Sequence, residues 1–433
     1  MRALVQSLSR CMRERRQLAA YAIIASVSAT VACGLSEDVR AQDAAALVKP
    51  PSDASSLSRL RLVRTLTAPN EHYLWPKAMS GTWMLAWSPD GQRVAAYARN
   101  GAAIEIWSSD GTVRHELPRY NNSPITESNV LGFLSGHSQI LVGPSASDPS
   151  NLSSITGVAM SVLDADTGKV IKNIPGLNPD GRWQENIVWK AAISPDQKFV
   201  ATSYFTMFNQ SIERRIGIYS TDDWRLVTKV HFGDESESPA ADAIAFSPDG
   251  KMLAIAYGGQ NSRIDLIEVG SWKIIRTIST FSDLKLKFGL NAAAVNFSRD
   301  GSMVSVITHG GGVSWRYPGG SNAPEGVGVR TDTGIPDPLR VFRVSDGGEV
   351  ASVGGFTGGD DTHLMAWSPR QDFIAFLDVH KVLYFWDPTT KDSLVKERPL
   401  ESSTTSMLFS PDGSMIAQGF GDGVHLYQVE NGI

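Results

Sequence analysis

The chain has 433 residues, 42% of them hydrophobic and 20% charged, with 39 Gly and 22 Pro, an ordinary globular composition tilted towards strands and turns. A formal net charge of -5 supplies no basic footprint for nucleic acid, which excludes that class of partner as the expectation. The two cysteines, Cys11 and Cys33, both lie near the N-terminus. The rest of the chain therefore has neither a disulfide nor a cysteine-ligated metal, and packing must stabilise it.

Residues 1–41 read as a signal peptide. Arg2, Arg10, Arg13, Arg15 and Arg16 make a basic start, an uncharged and mostly apolar run follows from Leu18 to Ser36, and Val39-Arg40-Ala41 offers small residues at cleavage-site positions. Cleavage between Ala41 and Gln42 is expected, which makes the protein exported, periplasmic or secreted. Three other readings stay open. Thr30-Val31-Ala32-Cys33 resembles a lipoprotein cleavage box that would tether the chain to a membrane through Cys33. Arg15-Arg16-Gln17-Leu18 resembles a twin-arginine signal. The apolar run would serve as an uncleaved anchor if retained, although it is short for a full span. Residues 42–56, rich in Ala, Pro, Ser and Asp without periodicity, read as a flexible linker.

From Leu57 onward one unit recurs: an apolar strand, a tight turn and a second apolar strand. Ala245-Phe246-Ser247-Pro248-Asp249-Gly250, followed by Lys251 to Tyr257, shows it most clearly. Pro fixes φ early in the turn, Asp accepts from backbone N–H groups just ahead, and Gly tolerates a positive φ. Relatives are Trp87-Ser88-Pro89-Asp90-Gly91, Ile193-Ser194-Pro195-Asp196-Gln197, Phe297-Ser298-Arg299-Asp300-Gly301, Trp367-Ser368-Pro369-Arg370-Gln371 and Phe409-Ser410-Pro411-Asp412-Gly413, with a worn copy at Phe133-Leu134-Ser135-Gly136-His137. A hairpin repeated at this spacing implies a repeat architecture.

Seven four-stranded units follow. The first has strands near Trp83–Ser88, Arg93–Ala98, Ala103–Trp107 and Thr112–Leu117, and the second near Asn129–Leu134, Ser138–Gly143, Val158–Asp164 and Lys169–Ile174. The third has Val188–Ser194, Lys198–Tyr204, Arg214–Ser220 and Arg225–His231, and the fourth runs from Asp242 to Ile278. The fifth starts at Ala292 and is interrupted before Leu339–Val344 and Glu349–Gly354; the sixth covers His363 to about Glu397. The seventh supplies Thr405–Ser410, Met415–Phe420 and Val424–Val429 and then lacks a fourth strand. Arg61-Leu62-Val63-Arg64-Thr65-Leu66, ahead of the first unit, resembles the outer strand Lys273–Ile278, so the N-terminal strand is expected to complete the last blade and close the ring. Near-continuous apolar runs such as Met252 to Tyr257 suit strands buried on both faces.

The Ser-Pro-Asp-Gly turn and this strand rhythm resemble the WD-repeat type of seven-bladed β-propeller, over residues 57–433. Trp386-Asp387 carries the signature dipeptide, and Trp107-Ser108 and Tyr219-Ser220 stand at equivalent places. Gly136-His137 lies in the wrong loop to be the Gly-His pair of those repeats, so their buried Asp-His-Ser-Trp network is mostly absent. A similar turn occurs in the propellers of the exported translocation protein of the Tol system. The resemblance implies an all-β fold and a role in protein contact.

Strand order separates two sets of connections. Those joining strands one to two and three to four are tight. The others include Thr67–Thr82, Pro118–Ser128, Pro144–Gly157, Pro175–Ile187, Phe205–Glu213, Phe232–Ala241, Ser279–Asn291, His309–Pro338 and Phe356–Thr362, all leaving from the same end of the sheets. Long irregular loops accumulate binding residues, so this face is the expected working face. Its candidate partner-binding residues are Trp75, Tyr120, Trp183, Phe208, Trp315, Arg316 and Tyr317, because flat amphipathic rings and guanidinium groups carry much interface energy. Such rings, with Phe205 and Phe281 among them, serve equally well as anchors for their own loops.

Reactive constellations are sparse. Asp360, Asp361 and His363 bring oxygen and nitrogen ligands together as a weak metal candidate, against a solvated turn as the plainer reading. His309-Gly310-Gly311-Gly312 resembles an esterase oxyanion motif, but there is no nucleophile elbow to go with it. Phosphate-loop and dinucleotide fingerprints are absent. The expectation is a non-catalytic, cofactor-free monomer that binds a protein partner, with membrane contact only through an N-terminal anchor. The alternatives are a lactonase-like or hydrolytic propeller enzyme and a carbohydrate- or cell-wall-binding module.

Overall fold

The computed structural model describes residues 60–67, 82–98, 103–117, 127–134, 138–145, 158–177, 187–208, 211–230, 241–258, 262–281, 291–309, 314–316, 329–331, 339–353, 365–377, 382–390, 395–399, 406–420 and 423–430. The proposed leader 1–41 and linker 42–56 lie outside them. The first strand, β1, spans Leu60–Thr67. Blade 1 holds β2 (Thr82–Trp87), β3 (Arg93–Ala98), β4 (Ala103–Ser108) and β5 (Arg114–Leu117); blade 2 holds β6 (Glu127–Leu134), β7 (Gln139–Ser145), β8 (Val158–Asp164) and β9 (Val170–Pro175). Blade 3 is β10 (Ile187–Ile193), β11 (Phe199–Phe208), β12 (Ser211–Ser220) and β13 (Leu226–Val230); blade 4 is β14 (Ala241–Phe246), β15 (Met252–Tyr257), β16 (Arg263–Glu268) and β17 (Ile274–Ser279). Blade 5 begins with β18 (Asn291–Phe297) and β19 (Met303–His309), is interrupted by the two-stranded ribbon β20 (Ser314–Arg316) and β21 (Val329–Thr331), and resumes with β22 (Leu339–Arg343) and β23 (Glu349–Val353). Blade 6 has β24 (Met365–Trp367), β25 (Ile374–Leu377), β26 (Val382–Trp386) and β27 (Val395–Pro399); blade 7 has β28 (Ser406–Phe409), β29 (Met415–Phe420) and β30 (Gly423–Val429).

Each blade is a four-stranded antiparallel sheet in chain order, except the last, whose order is β1-β30-β29-β28. Arg64 pairs with Leu426, Leu60 with Val429 and Thr67 with Gly423, so the N-terminal strand supplies the missing fourth strand as the sequence predicts. The seven sheets form a β-propeller.

Alternating side chains make the ring. Leu253, Ile255 and Tyr257 of β15 belong to the core shared with blade 3, whereas Ala254 and Ala256 belong to the core shared with blade 5. Both faces of the strand are buried, which explains its unbroken apolar run. Among the described residues, seven buried clusters correspond to the seven inter-blade seams. One joins Leu85, Val94 and Trp107 of blade 1 to Ala417, Val424 and Leu426 of blade 7, and includes Leu66 of β1; Leu60, at the other end of β1, enters the seam between blades 6 and 7. The first and last blades are thus neighbours, and the ring is shut.

A second contact marks β1 as a true outer strand. The turn of blade 5 at Gly347 (φ +77°) lies over Arg276 and Ile278 of β17, the outer strand before it. The equivalent turn of blade 1 at Gly111 (φ +70°) lies in the same way over Arg64 and Leu66, so closely that a methyl group there would sit 2.6 Å from Arg64 Cδ. The positive φ and the close approach both require glycine at position 111.

The serine turns owe their recurrence to a shared bond set. In blade 4 the Ser247 hydroxyl donates to Asp249 Oδ1 (2.7 Å), which also accepts from the Lys251 amide (3.1 Å), while the Met252 amide donates to Ser247 Oγ (2.9 Å). The same bonds recur at Ser88, Ser194, Ser298 and Ser410. Gln197 occupies the glycine position of its turn at φ +57°. Blade 6 departs from the pattern: Arg370 replaces the Asp, and Ser368 Oγ instead accepts the amides of Arg370 (3.3 Å) and Gln371 (3.2 Å).

One connection differs from the expectation. Phe205–Glu213 is not an irregular loop: β11 and β12 continue as a regular ladder out to Phe208 opposite Ser211. Thr206, Met207 and Ile212 suit a strand, and no Gly or Pro interrupts the run, so the hairpin extends until Asn209-Gln210.

Three outcomes follow from these contacts. Removing residues 42–67 should lower the melting temperature far more than removing 42–56, because only the first deletion strips β1 from β30; equal melting of the two forms would contradict the pairing. At the seam between blades 5 and 6, Trp367 Nε1 donates to Ser305 Oγ (2.8 Å). Between blades 7 and 1 the equivalent Trp87 Nε1 is buried without a partner, and Ala417 stands where blade 5 has Ser305. Ala417→Ser should therefore raise stability by about 1 kcal/mol and Ser305→Ala should lower it by about 1–3 kcal/mol, read from urea midpoints. In the turns, the Ser247 hydroxyl and the Lys251 amide hold Asp249 below the ordinary carboxylate range, and the Ser108 hydroxyl and Thr112 bring Asp110 to about 2. A depressed folded-state pKa contributes stability that is fully present above the ordinary carboxylate value and is lost as pH falls through the folded one. Asp249→Asn should give a shallower acid limb than wild type, and an unchanged limb would show that the turn carboxylate does not contribute.

Candidate functional site

The longest connections leave from one end of the blades. The opposite end carries the tight turns, such as 88–92 between β2 and β3 and 247–251 between β14 and β15. At the long-connection end the intervals include 68–81, 118–126, 146–157, 178–186, 231–240, 282–290 and 310–338. This follows from antiparallel order: strand two ends where strand three begins, and each outer strand ends where the next inner strand starts.

Buried polar groups brace this end. Tyr204 and Tyr219, both fully buried, share a 2.6 Å hydroxyl contact, and Tyr219 donates to the Pro175 carbonyl (3.1 Å) where the outer strand of blade 2 leaves the sheet. Burial pushes the Tyr219 phenol up to about 12, and burial reinforced by Tyr219 holds Tyr204 well above the ordinary phenol value, so both stay neutral donors. Lys229 Nζ donates to the Leu177 carbonyl (2.8 Å). Between blades 4 and 5, Arg340 Nη1 donates to the Thr280 carbonyl (3.0 Å) and its guanidinium lies 4.5 Å from the centre of the Phe281 ring. In each case a side chain of one blade satisfies a carbonyl at the exit of the blade before it.

The third strand of each blade adds a feature that sequence reading missed. Glu105, Ser161, Gly217, Asp265, Arg340, Tyr384 and His425 occupy one register position, opposite the outer-strand residues Glu116, Asn173, Lys229, Thr277, Ser352, Lys396 and Thr65. Asp265, 1% exposed, accepts from Thr277 (2.7 Å) and Arg263 (3.2 Å), and Arg263 lies over the Tyr257 ring. Glu105, 2% exposed, accepts from Arg114 at 2.7 Å; Ser161 donates to Asn173 at 2.8 Å. The sole sequence signal was a polar residue interrupting the apolar third strand of most blades; blade 3 has Gly217 there and blade 6 has Tyr384.

Of the candidate partner-binding residues, Phe208 stands at the tip of the extended hairpin, and Trp315 and Arg316 lie on the ribbon inside the blade 5 insertion. In that ribbon Trp315 is opposite Arg330, a residue the sequence reading did not single out. Trp75, Tyr120, Trp183 and Tyr317 lie outside the described residues, as do Asp360, Asp361 and His363. Phe281 is 3% exposed and packed in the seam between blades 4 and 5, which makes it an anchor rather than a contact residue.

No protein-family model matches the chain, and no curated protein matches it. Solved structures do. A chain of Kuenenia stuttgartiensis hydrazine synthase is 17% identical, with a TM-score of 0.56 and coverage of 78% of this chain and 92% of its own. A chain of a mitotic checkpoint complex is 14% identical, with a TM-score of 0.56 and coverage of 93% of this chain and all of its own. At these identities the likeness carries the fold and not an activity. The fold is that of a WD-repeat-like seven-bladed β-propeller.

Proposed function

We propose that this protein is an exported, non-catalytic, monomeric propeller that binds another protein through the face bearing its long connections. Residues 1–41 act as the export signal and 42–56 as a linker ahead of the propeller, which begins at residue 57. The observation that carries the reading is the asymmetry of the ring: tight turns at one end, and intervals as long as 310–338 at the other. A rigid frame that presents long segments on one side is a common arrangement for recognition. The ribbon in the longest insertion places Trp315, Arg316 and Arg330 together, and Trp and Arg are the residue types that most often dominate interface energy.

The test is a pull-down from the exported fraction with three forms of the protein. Replacing 310–338 by a short turn should leave the urea midpoint unchanged within about 0.5 kcal/mol, as expected of a change away from the core. The same form should lose the captured partner, and Trp315→Ala should weaken its capture. Retention of the partner by both variants would contradict the reading.

A further inference from the structure

Six blades are each built from one stretch of chain, and blade 7 is built from two. β1 leads on into β2 of blade 1, whereas β28, β29 and β30 follow from blade 6. No chain connection joins β1 to β30; the ladder from Leu60 opposite Val429 to Thr67 opposite Gly423 holds them together. Leu60 and Leu66 are the buried side chains of that strand, and the residues between them are exposed. The seam beside it also carries unpaired donors. Among the described residues, the indole N–H groups buried without a partner are those of Trp87 and Trp107, and both rings pack between blades 7 and 1 with Leu85, Val424 and Leu426. A buried N–H without an acceptor gives up its hydrogen bond to water on folding and regains it when the seam parts. Other seams are tied by side chains that reach across: Trp367 to Ser305 between blades 5 and 6, Tyr219 to Pro175 between blades 2 and 3, and Arg340 to Thr280 between blades 4 and 5.

We propose that the ring opens here before it unfolds: β30 separates from β1 and the seam between blades 7 and 1 parts, while the seams from blade 1 round to blade 6 stay shut. Proteins open in cooperative units, and the unit that opens first is the one whose release breaks the least. β1 then acts as a releasable clasp. It stays with blade 1, to which the chain connects it, and its release uncovers an apolar strip that includes Leu66, Leu85, Trp107 and Leu426.

Native-state hydrogen exchange of the full-length protein reads the opening without any substitution. β16 is the third strand of blade 4 as β30 is of blade 7. The amides of β30 that donate to β1 should exchange at least about tenfold faster than those of β16 that donate to β17. Ala417→Ser, which offers Trp87 an acceptor as Ser305 does for Trp367, should slow β30 by about fivefold and leave β16 unchanged. Thiol labelling reads the same opening from the side chains. Ala95, Ala254 and Ala417 stand at equivalent positions in the seams between blades 1 and 2, 4 and 5, and 7 and 1, each 0% exposed. In full-length protein carrying Cys11→Ser and Cys33→Ser, the thiol of Ala417→Cys should react with dithiobis(nitrobenzoate) at least about tenfold faster than that of Ala95→Cys or Ala254→Cys. Equal protection of β30 and β16, exchange of β30 unaffected by Ala417→Ser, or equal labelling at the three positions would overturn the proposal.

Discussion

Pairing of β1 with β30 is the constraint on which the rest of the structure depends. A blade whose strands are apolar on both faces needs a neighbour on each side, and a row of such blades exposes one apolar face at each end unless it closes. Here the two ends meet within a single sheet. Leu66 enters the seam between blades 7 and 1, Leu60 enters the seam between blades 6 and 7, and Arg64 lies against the turn at Gly111. Between those anchors the strand is exposed, from Arg61 to Thr65. Two buried leucines and a backbone ladder therefore connect residues at opposite ends of the chain. Gly423, at the end of the pairing, must lack a side chain because its Cα faces the Leu66 carbonyl.

Stability beyond the seams comes from polar groups placed where backbone would otherwise be unsatisfied. Each exit from an outer strand leaves carbonyls without a ladder partner, and their burial without a hydrogen bond would cost about 1–3 kcal/mol each. Tyr219, Lys229 and Arg340 each reach back to one of them. Long connections can then begin from a fixed platform, which links the packing of the ring to its proposed role in presenting segments to a partner.

Much of this was legible in the sequence because the turns announce themselves. Ser, Asp and Gly at fixed spacing locate the first two strands of most units, and short connections locate the last two, so β3, β4 and β8 fall where the pattern predicts to within a residue. The place of β1 in the last blade was legible from its likeness to β17. What escaped notice was carried by long-range pairing. The ribbon formed by Ser314–Arg316 and Val329–Thr331 joins short segments across a wide interval rich in turn residues, Pro318-Gly319-Gly320 among them, and so many breakers do not fix which flanking residues pair. The polar position shared by Glu105, Ser161, Asp265 and His425 varies in residue type from blade to blade, so no motif marks it, and only the register aligns it. The candidate binding residues were chosen for their chemistry on long loops, a criterion that also selected Phe281, whose ring proved to be packed beneath Arg340.

The most direct measurement of ring closure is a disulfide trap across the closing pair. Arg61 is opposite Gln428, and their side chains are hydrogen-bonded, so both project from the same face. In a form beginning at residue 42, which has no other cysteine, Arg61→Cys combined with Gln428→Cys should oxidise to an intramolecular disulfide under mild conditions, because directly opposed strand residues satisfy its geometry. The oxidised protein should melt well above its reduced form, since the crosslink closes nearly the whole chain. Failure of the two thiols to join in the folded protein, or a melting temperature that falls on oxidation, would contradict a ring shut by its N-terminal strand.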